Sequence, residues 1–383
     1  MVDRVLILSA SAGAGHVRAA QAIERAIQST GAAREVRHVD ALDFTNKVFR
    51  RLYGKGYLDM VEHMPVALGW VYDKLDTPWE KERRRLFVDK LNTRPLVGLL
   101  REWKPDLAIC THFLPSEIIS WLKAKRRTAV PQAIVVTDFD VHAMWLCHHY
   151  EHYFVALPET ATHLEKLGIP RERVTVSGIP IDPAFAVPRD RREMRARHGF
   201  PIEPPLLLVS AGGFGMGATE RIFRGLLDLE HEATIVVVCG RNEELRRSIS
   251  LRASRDARPH QHVHVLGFTT EMHELMAAAD LLIGKPGGLT TSEALATGLP
   301  LCIVSPIPGQ EERNADHLLE EGAAIRCNNL PVLGHKLDRL LEDPERRAAL
   351  VANARRLGRP RAAFQVVERA IGLARGEGPT ARA

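Results

Sequence analysis

Leu281-Leu-Ile-Gly-Lys-Pro-Gly-Gly-Leu-Thr-Thr-Ser-Glu-Ala-Leu-Ala-Thr-Gly-Leu-Pro300 decides how this chain is read. Its first residues complete an apolar run that ends at Ile283 and reads as a buried strand. The run breaks at Lys285-Pro286-Gly287-Gly288, where paired glycines let a backbone approach a ligand closely. Thr290 to Thr297 is rich in helix formers, and Gly298 with Pro300 supplies a C-terminal cap and a stop. A strand, a glycine turn and a helix start together make an anion site. Free N–H groups and the positive end of the helix dipole both face outward there. Glu293 is expected in the first helical turn, with its carboxylate able to hold vicinal hydroxyls of a sugar.

Working outward, the same opening occurs twice. Val5-Leu-Ile-Leu-Ser-Ala10 leads to Gly13, Gly15 and His16, with a helix expected from about Val17 to Gln28. Leu206-Leu-Leu-Val-Ser-Ala211 leads to Gly212, Gly213, Gly215 and Gly217, again before a helix. Further buried strands are expected at Asp106–Thr111, Ala133–Thr137, Tyr153–Leu157, Thr234–Cys239, His262–Leu266 and Leu301–Ser305. Strands alternating with helices predict an α/β fold with two Rossmann-like domains facing a cleft. The expected division is 1–182, 183–360, and a terminal helix and tail over 361–383 that returns toward the first domain. As a dinucleotide fingerprint the first turn is incomplete, because Arg18 stands where the third glycine belongs. His16 at a helix start is positioned toward the cleft. The dipole there disfavours imidazolium and keeps the ring able to accept a proton.

The chain has 383 residues, more than one core usually holds, which also favours two domains. An apolar share of 45% and a charged share of 26% describe a soluble globular protein, and no run is long enough to span a membrane. Five scattered cysteines without paired spacing fit a reducing cytoplasm. The net charge is +5, and Phe44 to Arg94 holds eleven Lys/Arg against seven Asp/Glu, a local surplus of four. All five Trp and all five Tyr lie at or before Tyr153. Basic and amphipathic aromatic residues suit an anionic membrane surface, although a solvated helical cover would carry the same types. No feature points to nucleic acid.

Gly284-Lys-Pro-Gly-Gly-Leu-Thr-x-Ser-Glu-Ala-Leu-Ala-x-Gly-Leu-Pro300 resembles the donor-nucleotide motif of the two-Rossmann-domain (GT-B) glycosyltransferases. More narrowly, it is similar to that of the bacterial diacylglycerol glucosyltransferases and plant monogalactosyldiacylglycerol synthases. That resemblance implies a peripheral enzyme on the cytoplasmic face of the membrane. It would move glucose or galactose from UDP-glucose or UDP-galactose to diacylglycerol, with inversion and without a metal or other cofactor. The implied donor-binding residues are Gly212, Gly213, Phe268, Thr269, Lys285, Gly287, Gly288, Thr290, Ser292, Glu293, Gln310, Glu311 and Asn314. Gly267-Phe268-Thr269 resembles the uracil pocket. Gln310, Glu311 and Asn314 align with positions that hydrogen-bond the donor sugar. Thr137-Asp138-Phe139…His142…Trp145 resembles the acceptor-side motif, alongside Gly13 and Gly15, with Trp145 packing on acceptor or bilayer. His16 is the implied base, with Asp138 orienting it or sharing its role. Phe44 to Leu100 corresponds to the membrane-docking, lipid-acceptor region.

Two other motifs are set aside on context. Asp138-x-Asp140 has the form of a glycosyltransferase metal signature, but that fold has one such domain rather than two glycine-loop halves. His148-x-x-Glu151-His152 has the form of an inverted zinc-peptidase motif, but a strand follows at once and leaves little helix to present the pair. The alternatives carried forward are a transferase of N-acetylglucosamine to a polyprenyl-linked acceptor and a nucleotide-sugar epimerase on the same scaffold.

Overall fold

The structure is a computed structural model, and it describes residues 2–11, 13–44, 74, 76–79, 94–210 and 219–377. Most of Phe44 to Leu100, including Arg83, Arg84 and Arg85, and the glycine turn 211–218 with Gly212 and Gly213, lie outside the described residues. The chain divides into two compact units. The first comprises 1–183, 308–310 and 361–383, and the second 184–307 and 311–360.

In the first unit six strands form one sheet: β1 Val2–Ser9, β2 Ala33–Asp40, β3 Leu107–Cys110, β4 Gln132–Val135, β5 His152–Val155 and β6 Val174–Val176. Every pair is parallel, in the order β2-β1-β3-β4-β5-β6. Both faces of the sheet are covered, which is why β1 from Val5 onward, β3 and β4 are fully buried and, Gln132 apart, apolar or small. The helix Ala14–Thr30 buries Ala19, Ala20, Ile23, Ala26 and Ile27 on one stripe. That stripe shares a core cluster with Ala363, Val366, Val367, Ala370 and Ile371 of the helix Ala362–Ala374. The terminal helix is therefore part of the first unit's core. Alanines on the Ala14–Thr30 stripe let the two helices approach closely.

The second unit holds β7 Leu206–Ser210, β8 Ala233–Val238, β9 Gln261–Leu266, β10 Leu281–Gly284, β11 Leu301–Val304 and β12 Ala324–Cys327. These are again parallel, in the order β12-β11-β10-β7-β8-β9. In each sheet the strand order reverses beside the unit's first strand, between β1 and β3 in one and between β7 and β10 in the other. Loops on the two sides of such a reversal diverge and leave a crevice at the carboxyl ends of the strands, where ligands bind in open α/β sheets.

All five cysteines are buried and free. Among the described residues, no helix is long and apolar enough to cross a membrane.

Candidate active site

At the first unit's reversal point, the sequence after β1 and the ends of β3 and β4 converge on one imidazole. His16 is the third residue of Ala14–Thr30, a helix that starts three residues earlier than expected, with Gly13 extended at its cap. Its Nδ1 lies 3.0 Å from the carbonyl oxygen of Thr111 and 2.8 Å from the hydroxyl of Thr137. A carbonyl only accepts hydrogen bonds, so Nδ1 carries the proton, and the ring's other nitrogen, Nε2, keeps its lone pair. The Thr111 hydroxyl in turn donates to the His16 carbonyl at 2.9 Å, so residue 16 is held from both its backbone and its ring.

Three more rings surround this histidine. His112 stands edge-to-face with it at 4.5 Å between centroids, and Trp145 lies at 6.2 Å. Phe113 packs on both His112 and Trp145. The His112 Nδ1 accepts from the Leu114 N–H at 3.0 Å, which fixes that ring's tautomer as well. Burial in these surroundings lowers the His16 pKa to about 4, against the opposing hydrogen bond to Thr111. His112 is held well below the usual histidine range by burial and then by His16. Desolvation is thus the leading cause that keeps His16 neutral.

Asp138 follows Thr137 and is buried, as is His142, whose Nδ1 accepts from the Met144 N–H at 3.1 Å. His142 Nε2 lies 3.9 Å from an Asp76 carboxylate oxygen that also accepts from the Ala143 N–H at 2.9 Å. Trp145 departs from the bilayer half of the sequence reading, which offered acceptor or bilayer. Only 2% exposed and packed in the core against His16, His112 and Phe113, it has no face for a bilayer. Its part here is to exclude water from the imidazole. The His148–His152 segment is not helical: β5 begins at His152, whose Nε2 bonds Thr175, while Glu151 accepts from Lys123.

In the second unit, β10 ends at Gly284 and the helix Gly288–Ala296 starts after Lys285-Pro286-Gly287. The helix begins two residues before the expected Thr290, because Gly287 adopts the extended cap conformation and frees Gly288 to start the first turn. Glu293 accordingly falls in the second turn, not the first, and is buried. Thr290 and Ser292 lie on the same helix. The helix Gln310–Glu320 is stitched to this turn: Asn314 donates to the Pro286 carbonyl at 3.0 Å, and a Cβ on Gly287 would come within 3.6 Å of Glu311 Oε1. Glu311 also accepts from the Ile307 N–H at 2.7 Å. Its carboxyl is raised above the usual range by burial, opposed by that bond and by Lys285.

Lys285, Gly287 and Gly288 therefore form a turn at the carboxyl end of β10, with Glu311 and Asn314 of the helix Gln310–Glu320 packed against it. Phe268 and Thr269 follow β9 on the same edge of this parallel sheet, with Thr269 accepting from the Glu271 N–H at 2.9 Å. Sequence reasoning did not single out Thr111, Thr137 or His112 as partners of His16. They come from strand ends far along the chain, and only the sheet order brings them together.

Residues 16–181 match the family described as monogalactosyldiacylglycerol (MGDG) synthase, and residues 190–357 match glycosyl transferases group 1. A processive diacylglycerol beta-glucosyltransferase of Staphylococcus aureus (strain Newman) is 29% identical over 329 residues, covering 83% of this chain and 80% of that protein. Among solved structures, Acinetobacter baumannii MurG is similar with a TM-score of 0.65 at 18% identity, over 96% of this chain and 99% of that one. The UDP-GlcNAc 2-epimerase of Neisseria meningitidis is similar with a TM-score of 0.58 at 15% identity, over 95% and 98%. The two structures establish the GT-B fold; transferases and epimerases share it, so fold alone does not choose between them.

Proposed function

We propose that this chain, similar to the monogalactosyldiacylglycerol synthases over residues 16–181 and to bacterial diacylglycerol glucosyltransferases over 83% of its length, transfers a hexose from a UDP-sugar to diacylglycerol, inverting the anomeric carbon. The observation that carries the mechanistic part is the tautomer of His16. With Nδ1–H committed to Thr111 and Thr137, the Nε2 lone pair is the group free to take the acceptor's hydroxyl proton. The hydroxyl oxygen then attacks the anomeric carbon from the face opposite the diphosphate, the carbon–oxygen bond to UDP breaks, and UDP departs. Asp138, adjacent to Thr137, orients this base or shares its role.

On the donor side, Glu293 holds the ribose hydroxyls, and Phe268 with Thr269 receives the uracil. Gln310, Glu311 and Asn314 read the sugar. The amides after β10, those of Gly212 and Gly213, and Lys285 offset the charge that develops on the leaving diphosphate. Oriented N–H groups of this kind stabilise charge at no reorganisation cost, which is the ground for proposing transfer without a divalent metal. Glucose is favoured by the staphylococcal relative's name, with galactose the other candidate. The basic, aromatic segment 44–94 docks the enzyme peripherally on the anionic cytoplasmic face of the membrane.

The test is incubation with UDP-glucose or UDP-galactose and diacylglycerol vesicles in excess EDTA, followed by analysis of the lipid fraction. Hexosyl-diacylglycerol formed at undiminished rate supports the proposal. Turnover abolished by EDTA and restored by manganese would remove the metal-free diphosphate site. A free sugar epimerised at C2, with no glycolipid, would move the chain to the epimerase reading.

A further inference from the structure

Phe268 is a large apolar side chain that the second unit leaves 61% exposed, at the turn that follows β9. Burial would normally claim such a ring, so its exposure at the same carboxyl edge of the sheet as the donor turn asks for an occupant. One of its faces is already covered. The Arg241 guanidinium carbon lies 4.9 Å from the ring centroid, inside the range of a cation–π contact.

The backbone arranges this pairing. Arg241 follows Gly240, which takes a left-handed φ of 61° and turns the chain sharply after β8. Asn242 then caps the helix Glu243–Asp256 by accepting from the Leu245 N–H at 2.9 Å. Across from it, Gly267 brings the β9 turn against the same helix: a Cβ there would meet Arg246 Cδ at 3.5 Å and the Gly240 carbonyl at 3.8 Å. Arg246 is itself anchored to Glu243. On the far side the Thr269 hydroxyl accepts from the Glu271 N–H, which fixes the other end of the turn. Two neighbouring strand ends thus present an aromatic ring, braced from one side, at the ligand-binding edge of the sheet.

We infer that Arg241 is a positioning residue for the donor: it braces the Phe268 ring as a fixed platform on whose open face the flat base of a uridine nucleotide stacks. This rests on the UDP-sugar reading above and adds a residue to it. A free phenylalanyl ring in solvent would have to be immobilised when the base arrives, and bracing it beforehand lowers that cost. Because Arg241 acts through Phe268, its effect should vanish when Phe268 is gone.

Calorimetric titration with UDP and, separately, with inorganic pyrophosphate tests this on Arg241→Ala, Arg241→Lys, Phe268→Ala and the double variant Arg241→Ala/Phe268→Ala. Phe268→Ala should weaken UDP binding about 5- to 150-fold, the usual span for loss of base–aromatic stacking. Arg241→Ala should weaken it about two- to five-fold, the worth of an exposed cation–π contact, and Arg241→Lys should recover part of that. The double variant should bind UDP no more weakly than Phe268→Ala alone. Pyrophosphate, which lacks a base, should bind all of them equally, and kcat at saturating donor should stay near the parent value for Arg241→Ala.

Unchanged UDP affinity in Arg241→Ala, or additive losses in the double variant, would overturn the bracing role. An equal loss for pyrophosphate would make Arg241 a diphosphate contact instead. An unaffected Phe268→Ala would overturn the uracil-pocket reading itself, an outcome distinct from failure of the brace alone.

Discussion

At the residue scale the account turns on His16. Its base form is set by where its protons can go: Nδ1–H is spent on the Thr111 carbonyl, and burial holds the pKa at about 4. A lowered histidine pKa means the ring stays neutral as pH falls from 8, and is protonated only as pH drops through about 4. The acid limb of kcat/KM should therefore show no inflection near 6.5, the value of a solvated imidazole. A pH–rate profile with a limb at 6.5 would mean that His16 is ordinarily solvated or is not the base. Replacing His16 with Ala should cost about 10²–10⁴-fold in transfer, typical for a general base. UDP affinity should stay near the parent value, because the proposed donor residues other than Gln310 belong to the other unit. Parallel loss of UDP affinity in a titration would make His16 a donor contact. The residue was visible in the sequence as a histidine after Gly13 and Gly15. Its partners Thr111 and Thr137 were not, since they lie 95 and 121 residues away and only strand order joins them.

At the scale of elements, the strand–turn–helix around Gly284–Pro300 was legible because each boundary has a local chemical cause. Gly298 shows this at the C-terminal end. It takes a left-handed φ of 67°, its N–H bonds the Leu295 carbonyl, and the Leu299 N–H bonds that of Ala294. A Cβ there would also lie 2.5 Å from Arg355 Cγ. Gly298→Ala should therefore lower stability by about 1–2 kcal/mol from backbone strain alone, with any failure of Arg355 to move adding to it. Urea melts with an unchanged midpoint would refute this. The N-terminal end was less legible. Glycine is a poor helix former, so Gly288 did not read as a first-turn residue, and Glu293 was expected one turn too early. Of the two contacts expected for Trp145, acceptor or bilayer, its burial removes the second. A tryptophan in a polar motif reads as a surface contact, whereas here its bulk fills the space around an imidazole.

At the scale of the whole molecule, the alternation of apolar runs and glycine turns conveyed two parallel α/β units, because parallel strands buried on both faces leave so little freedom in composition. Strand order was not conveyed, and it is what places each site at a reversal point. The fold also buries neutral histidines in the first unit. Burial takes His152 down to about 3, followed by Arg369 and Arg173, while His16 stands at about 4 and His112 well below its usual range. The unfolded chain binds protons at these residues below about 6.5 and the folded chain does not. Stability should be fully present above that pH and fall as pH drops toward 4, by about 1.4 kcal/mol per pH unit for each such histidine. Urea midpoints that are equal at pH 7 and pH 5 would contradict this.

The central claim is a single displacement on a diacylglycerol hydroxyl, and the anomeric configuration of the product tests it most directly. With UDP-glucose, whose sugar is α-linked, and diacylglycerol vesicles, proton NMR of the extracted lipid should show a β-glucosyl anomeric signal. An α-linked product, or no glucosylated lipid at all, would contradict the account.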